Sequence, residues 1–224
     1  MCARYTLSSS EKEILAAYSA TMTEPFTPTI NARITERMPV ITADEPDKIQ
    51  QMHFQLVAHF AEGPKSVKAT FNTRDDKIME SKLWRPLFVN HKRVLIPANG
   101  FYELDKVTAP QENQVYKFGL TDREIFSYAG LWSKWVGPGY ELPYYSFSII
   151  TTESNTKVGN VHDKKRMPVI LNKEDEALWL SKDVSPAQLM QLLKPYPDDL
   201  MYAERSSVRA NTPGLIQSGD QNSL

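Results

Sequence analysis

RVLIPANGFYEL, residues 93–104, contains two apolar half-segments split by Asn99-Gly100. Val94, Leu95 and Ile96 on one side and Phe101 and Tyr102 on the other have the aliphatic and aromatic character of buried strand. Asn-Gly between them is the dipeptide of a tight turn or bulge. Three further runs of the same character follow, QVYKFGL (114–120), EIFSYAGLW (124–132) and YYSFSIITT (144–152), each set off by turn residues. Within them AGLW at 129–132 is expected in the core. Strands at this short, regular spacing predict a mainly antiparallel sheet.

Helices are expected near both ends. Ser8 to Tyr18 reads as a helix, with Ser10 and Glu13 as a capping box and Ile14, Leu15 and Tyr18 as its apolar stripe. Ser185-Pro186 opens a second, as a cap followed by proline at the first helical position, and Pro195 and Pro197 close it. Thr23 to Pro46, rich in proline, threonine and charge, is expected to wander over the surface. The final GLIQSGDQNSL (214–224) is expected to fray.

Composition narrows the function classes. With 41% hydrophobic and 24% charged residues in 224, the chain is globular and long enough to bury a core. No apolar run is long enough to span a bilayer, and the N-terminus lacks a signal-peptide layout, so the expected location is the cytoplasm, with no membrane partner. A net charge of −1 gives no global attraction to polyanions, and any nucleic-acid site must be a local patch. Cys2 is the single cysteine, which excludes an internal disulfide and a Cys-rich zinc centre.

That cysteine stands in MCARY, beside the initiator methionine. Methionine removal, favoured by a small second residue, leaves Cys2 with a free α-amine and a thiol, whose ordinary pKa values are about 8 and about 8.5. Such a 1,2-aminothiol condenses with an aldehyde to a Schiff base and then closes to a thiazolidine ring. On position alone, an incidental cysteine at a frayed end is the simpler reading.

Other segments carry candidate chemistry. In ATFNTRDD, Asn72 and Arg74 lie two apart and share a face if the chain is extended, although a turn is equally compatible. Glu103 follows two aromatics in GFYE. Partial desolvation there raises a carboxyl pKa towards the range useful for proton transfer, while an exposed edge-strand glutamate is the alternative. His162 precedes Lys164, Lys165 and Arg166. It is either an acid or base beside bound phosphate or a loop histidine next to a solvated charge run.

Taken in order, MCARY, the N-x-R of FNTR, GFYE, AGLW, the IITT strand and a histidine followed by RMPVIL resemble the SOS-response-associated peptidase (SRAP) family, from Cys2 to at least Leu171. The resemblance implies a single α+β domain over residues 1–224 with a mainly antiparallel, barrel-like central β-sheet and flanking helices. It also implies a sensor of abasic sites in single-stranded DNA. In it, Cys2 forms a thiazolidine crosslink with the lesion aldehyde, Asn72 orients the N-terminus and the sugar, and Glu103 moves protons. His162 assists ring opening or protonates the departing 3′ phosphate oxygen, and Arg4, Arg74 and Arg166 contact the DNA backbone. No metal or organic cofactor is implied, a monomer suffices, and association with the nucleoid follows from DNA binding. The chain departs from the family pattern at FQLVAHF (54–60), where many members carry Trp-Gly-Leu-Ile-Pro, at Leu104 in place of the usual tryptophan, and in the three residues between His162 and RMP. Two other function classes stay open: a cysteine-type peptidase acting at least on the bond after Met1, and a DNA-binding module in which Cys2 is incidental.

Overall fold

The computed structural model describes residues 3–67 and 69–214. Its strands are β1 (Arg4–Leu7), β2 (Thr21–Met22), β3 (Thr29–Arg33), β4 (Arg37–Thr42), β5 (Lys48–Phe54), β6 (Asn72–Arg74), β7 (Arg93–Ala98), β8 (Gly100–Leu104), β9 (Val115–Leu120), β10 (Phe126–Trp135), β11 (Tyr144–Glu153), β12 (Arg166–Pro168) and β13 (Met201–Ser206). Five short helices accompany them: α1 (Glu11–Tyr18), α2 (Trp84–Val89), α3 (Thr156–Gly159), α4 (Asp175–Leu180) and α5 (Pro186–Met190).

Asn99-Gly100 makes a corner instead of a hairpin. β7 pairs with β10 and β4 in one sheet, whereas β8 pairs with β1 and β9 in another, so the chain changes sheets at Asn99. The Asn99 side chain fixes the bend. Its Oδ1 accepts from the Ser8 and Ser9 amides at 2.7 and 3.1 Å, and its Nδ2 donates to Ser9 Oγ and the Glu124 carbonyl. Gly100 is required by close approach, since a Cβ there would lie 2.6 Å from the Phe118 carbonyl oxygen.

One sheet orders its strands β13-β9-β8-β1-β3. In the other, β11, β10, β7, β4 and β5 form a closed ring, because β5 returns to pair in parallel with β11 at Ser146↔His53 and Phe147↔Phe54. Ring closure removes the free edges that an open sheet would expose. Most pairings are antiparallel; β6 joins β11 in parallel and β2 joins β5 in parallel. The core between the layers is strongly aromatic. Tyr5 meets Phe54 and Tyr128 edge-on, Phe54 stacks on Phe147 at 5.3 Å, and Phe101 stacks on Phe118 at 5.0 Å. Ala129, Leu131 and Trp132 of AGLW are buried as expected.

Three expectations need correction. The first helix begins at Glu11, with Ser10 as its N-cap in a complete capping box; Ser8 and Ser9 are outside it because their amides are taken by Asn99. Thr23 to Pro46 is not a surface excursion. It contains β3 and β4, with Ala32, Met38, Val40 and Ile41 in the core. Prolines and charges at the segment's exposed positions masked the strand signal, and Pro39 is tolerated because β4 meets β7 only at Ile41 and Thr42. At the other end, Ser185 caps α5 with Pro186 in its first turn, but the helix stops at Met190, before Pro195 is reached. Of the tail, Gly214 accepts the Ile30 amide at 2.7 Å; the remainder of the expected fray lies outside the described residues. Among the described residues, no helix is long and apolar enough to cross a membrane.

Candidate active site

Glu103 sits on β8, between β1 and β9. The antiparallel register Tyr5↔Phe101, continued two residues, brings Ala3 level with Glu103; Cys2, the next residue towards the N-terminus, is itself outside the described residues. Only 7% of Glu103 is exposed. Burial pushes its pKa up from 4.5 to about 7, against a smaller opposing effect of the Arg4 charge. The Arg4 guanidinium lies over the Tyr102 ring, 5.6 Å from its centroid.

His162 follows α3, a single turn capped by Asn155, whose Oδ1 accepts the Val158 amide at 3.0 Å. The three-residue spacer is taken up locally. Asp163, Lys164 and Lys165 fold into a tight turn, with Lys165 in the left-handed region at φ 51° and its amide bonded to the His162 carbonyl. The turn brings the Arg166 backbone onto the imidazole, with Nδ1 2.9 Å from the Arg166 carbonyl oxygen and 3.3 Å from its amide. Nδ1 thus faces the Arg166 backbone, and Nε2 faces Glu103 Oε2 at 3.8 Å. Burial holds the His162 pKa below its ordinary value. With the carboxyl raised and the imidazole lowered, both shifts oppose a fixed ion pair between the two groups at neutral pH.

Asn72 opens β6, paired with Ile149 of β11. Its Nδ2 donates to the Phe71 carbonyl at 3.1 Å, while its buried Oδ1 has no partner among the described residues. A buried acceptor of this kind is ready for a donor that arrives with substrate. Arg74, two residues on, shares the Asn72 face but is exposed, and it grips Asp76 at two points, Nε to Oδ1 at 2.9 Å and Nη2 to Oδ2 at 2.6 Å. Arg166 is more enclosed. Its Nη2 donates to Asp75 Oδ1 at 2.6 Å and to the Thr151 carbonyl, and Thr152 donates to the other Asp75 oxygen.

The expected site residues therefore fall into linked groups. Glu103 and His162 meet directly, Arg4 acts on Glu103 through its charge, and Arg166 connects the His162 loop to the end of β6, which carries Asn72 and Arg74. Sequence reasoning missed Asp75 and Asp76, the carboxylates that hold the two arginines. The signal was present as an Asp-Asp pair directly after Asn-Thr-Arg. In the divergent FQLVAHF segment, Phe54 is core and Phe60 is 65% exposed. Chemically, a buried acid titrating near 7 beside a neutral imidazole can pass protons to and from a group at the start of the chain.

Comparison with known proteins is consistent across sequence and structure. The family model described as SOS response associated peptidase (SRAP) matches residues 1–213. The abasic site processing protein YoqW of Bacillus subtilis (strain 168) is 32% identical over 97% of this chain and 100% of its own length. The mouse abasic site processing protein HMCES is 28% identical over 80% of this chain and 59% of its own length. A crystal structure of a Bacteroides thetaiotaomicron protein superposes with a TM-score of 0.81 at 25% identity, covering 91% of each chain. A Bordetella bronchiseptica protein reaches the same TM-score at 19% identity, over 92% of this chain and all of its own, a likeness of fold alone.

Proposed function

The chain belongs to the SOS response associated peptidase family, and from that premise we propose that it captures abasic sites in single-stranded DNA as a covalent crosslink through Cys2. The reading rests on one observation above the others, the buried Glu103–His162 pair level with the start of β1. Once Met1 is removed, the Cys2 amine adds to the aldehyde carbon of the ring-opened deoxyribose to give a carbinolamine. Loss of water leaves an imine, and the thiolate adds to the same carbon while the nitrogen takes a proton, closing the thiazolidine. The net change is loss of one water.

Each step moves a proton near neutral pH. Glu103, with a pKa of about 7, takes a proton from the α-ammonium and returns it to the departing hydroxyl, and His162 Nε2 holds it between steps. The Asn72 Oδ1, without a protein partner among the described residues, accepts from the amine or a sugar hydroxyl. Arg4 and Arg74 meet the backbone phosphates of a strand that the slightly acidic chain does not attract as a whole, and Arg166, held by Asp75, braces the His162 loop beside them. The curated relatives named as abasic site processing proteins point to the same lesion.

Intact mass tests the reading. Purified protein lacking Met1 is incubated with a single-stranded oligonucleotide carrying one abasic site. The expected product has the mass of protein plus DNA minus one water and is missing with Cys2→Ala. Retention of Met1, or no adduct despite a free Cys2, overturns it.

A further inference from the structure

Of the three arginines assigned to the DNA backbone, two are already held by carboxylates. The Arg74 case has a specific geometry. Asp76 takes both Nε and Nη2 of its guanidinium, at 2.9 and 2.6 Å, with one carboxylate oxygen for each nitrogen. This is the fork-on-fork arrangement in which an arginine also binds phosphate, so the two anions compete for the same edge. Both side chains are half exposed, Arg74 at 55% and Asp76 at 46%, so a strand can reach the pair and exchange is inexpensive. Arg166, at 14% exposure, is anchored to Asp75 and the Thr151 carbonyl, with its Nη1 also 3.9 Å from Asp76 Oδ1, and is not open to such exchange.

We propose that Asp76 is a built-in counter-ion for Arg74, occupying the edge that a DNA phosphate would take and thereby suppressing binding to undamaged strands. The proposal rests on the reading of this site as a DNA-capture site and adds a specificity-determining residue to it. A phosphate contact carries no information about the lesion. A freely available arginine would tighten binding to every strand alike, whereas one already neutralised adds little until the lesion chemistry holds the strand in place. While Asp76 holds Arg74, no phosphate contact forms there and no counter-ion leaves the DNA for it, so the pair adds almost nothing to the salt dependence.

The test is non-covalent binding of an undamaged single-stranded oligonucleotide, and of the same strand with a tetrahydrofuran abasic analogue that lacks the aldehyde, read by fluorescence anisotropy between about 50 and 200 mM salt. Asp76→Asn is expected to bind both strands about two- to fivefold tighter, the ratio equivalent to one surface ion pair. Its plot of log affinity against log salt should be steeper by about 0.7, the value for one contact to a single strand. Arg74→Gln should flatten that plot in the Asp76→Asn background and leave it unchanged in the wild-type background. Equal affinity and slope for wild type and Asp76→Asn overturn the proposal while leaving DNA capture intact. Wild-type protein and variants that all fail to bind either strand overturn the DNA reading itself, and the proposal with it.

Discussion

Glu103 Oε2 stands 3.8 Å from His162 Nε2, and burial acts on the two groups in opposite directions, raising the carboxyl to about 7 and lowering the imidazole. Two distant parts of the chain make this contact. β8 delivers the glutamate from the corner at Asn99, and a left-handed turn at Lys165 delivers the histidine. A buried acid and imidazole whose pKa values are both pushed towards their neutral forms are a poor source of stability and suited to proton transfer.

Glu103 should impose an unusual pH dependence on stability. In the unfolded chain it titrates near 4.5, and in the fold at about 7, so between those values the native state binds more protons and stability falls as pH rises. The loss is complete above about 7 and amounts to about 3 kcal/mol. His162, with its pKa lowered, acts in the opposite sense, its contribution being lost as pH falls below 6.5. Glu103→Gln isolates the carboxyl. Its melting temperature should exceed wild type at pH 8 and match it near pH 4, while its capture rate falls by about a hundredfold or more. A constant difference between the two proteins from pH 4 to pH 8 would contradict the assignment.

Asn72 should trade stability against capture. Its buried Oδ1 without a partner among the described residues costs about 1–3 kcal/mol in the free protein. Asn72→Ala removes that acceptor and should leave the melting temperature unchanged or raised, while adduct formation with an abasic strand slows by about tenfold or more. A variant that melts well below wild type would mean that the amide is structural.

Much of this was legible in the sequence, for physical reasons that differ by element. The strands between Arg93 and Glu153 are rich in β-branched, aromatic and other apolar residues, and the Ser10–Glu13 box and the Ser185-Pro186 start are local signals that a sequence displays directly. β4 was hidden because RMPVIT is buried almost throughout, so it lacks the alternation of a half-exposed strand and contains a proline. The corner at Asn99 could not be told from a hairpin, because the same dipeptide serves both and the choice depends on Ser8 and Ser9, some ninety positions away. In the site, Glu103 beside two aromatics was compatible with either a desolvated acid or an exposed edge-strand glutamate, and the fold buries it. The carboxylate partners of Arg74 and Arg166 were not recognised, since a charge run reads as solvated until the fold brings its members together.

The Arg166–Asp75 pair is expected to behave as a clamp. Both side chains are more than four-fifths buried, so Arg166→Met leaves a carboxylate enclosed with the Thr152 hydroxyl as its remaining side-chain partner among the described residues. The expected cost is about 2 kcal/mol, or about 4–8 °C in melting temperature. Asp75→Asn combined with Arg166→Met removes the stranded charge and should recover at least half of the loss. If thermal unfolding shows the double variant to be as unstable as the sum of the singles, the two residues do not act as a pair.

Asn99 should couple the fold's corner to the chemistry. It is the acceptor for two consecutive amides, Ser8 and Ser9, that follow β1, and its own amide donates to the Thr6 carbonyl at 2.7 Å. The same residue thus sets where β8 begins and where β1 ends, and the register between those strands brings Glu103 level with Ala3. Asn99→Ala strands both amides, that of Ser9 buried and that of Ser8 partly so, at a cost of about 2–4 kcal/mol. The loosened register should slow crosslinking in protein that is still folded, below its melting transition. Asn99→Asp retains an acceptor for the two amides but loses the donors to Ser9 Oγ and the Glu124 carbonyl, so it should fall between the two in stability and in rate. Crosslinking at the wild-type rate by folded Asn99→Ala would show that β1 keeps its register without the corner, and that the barrel alone holds the N-terminal strand against Glu103.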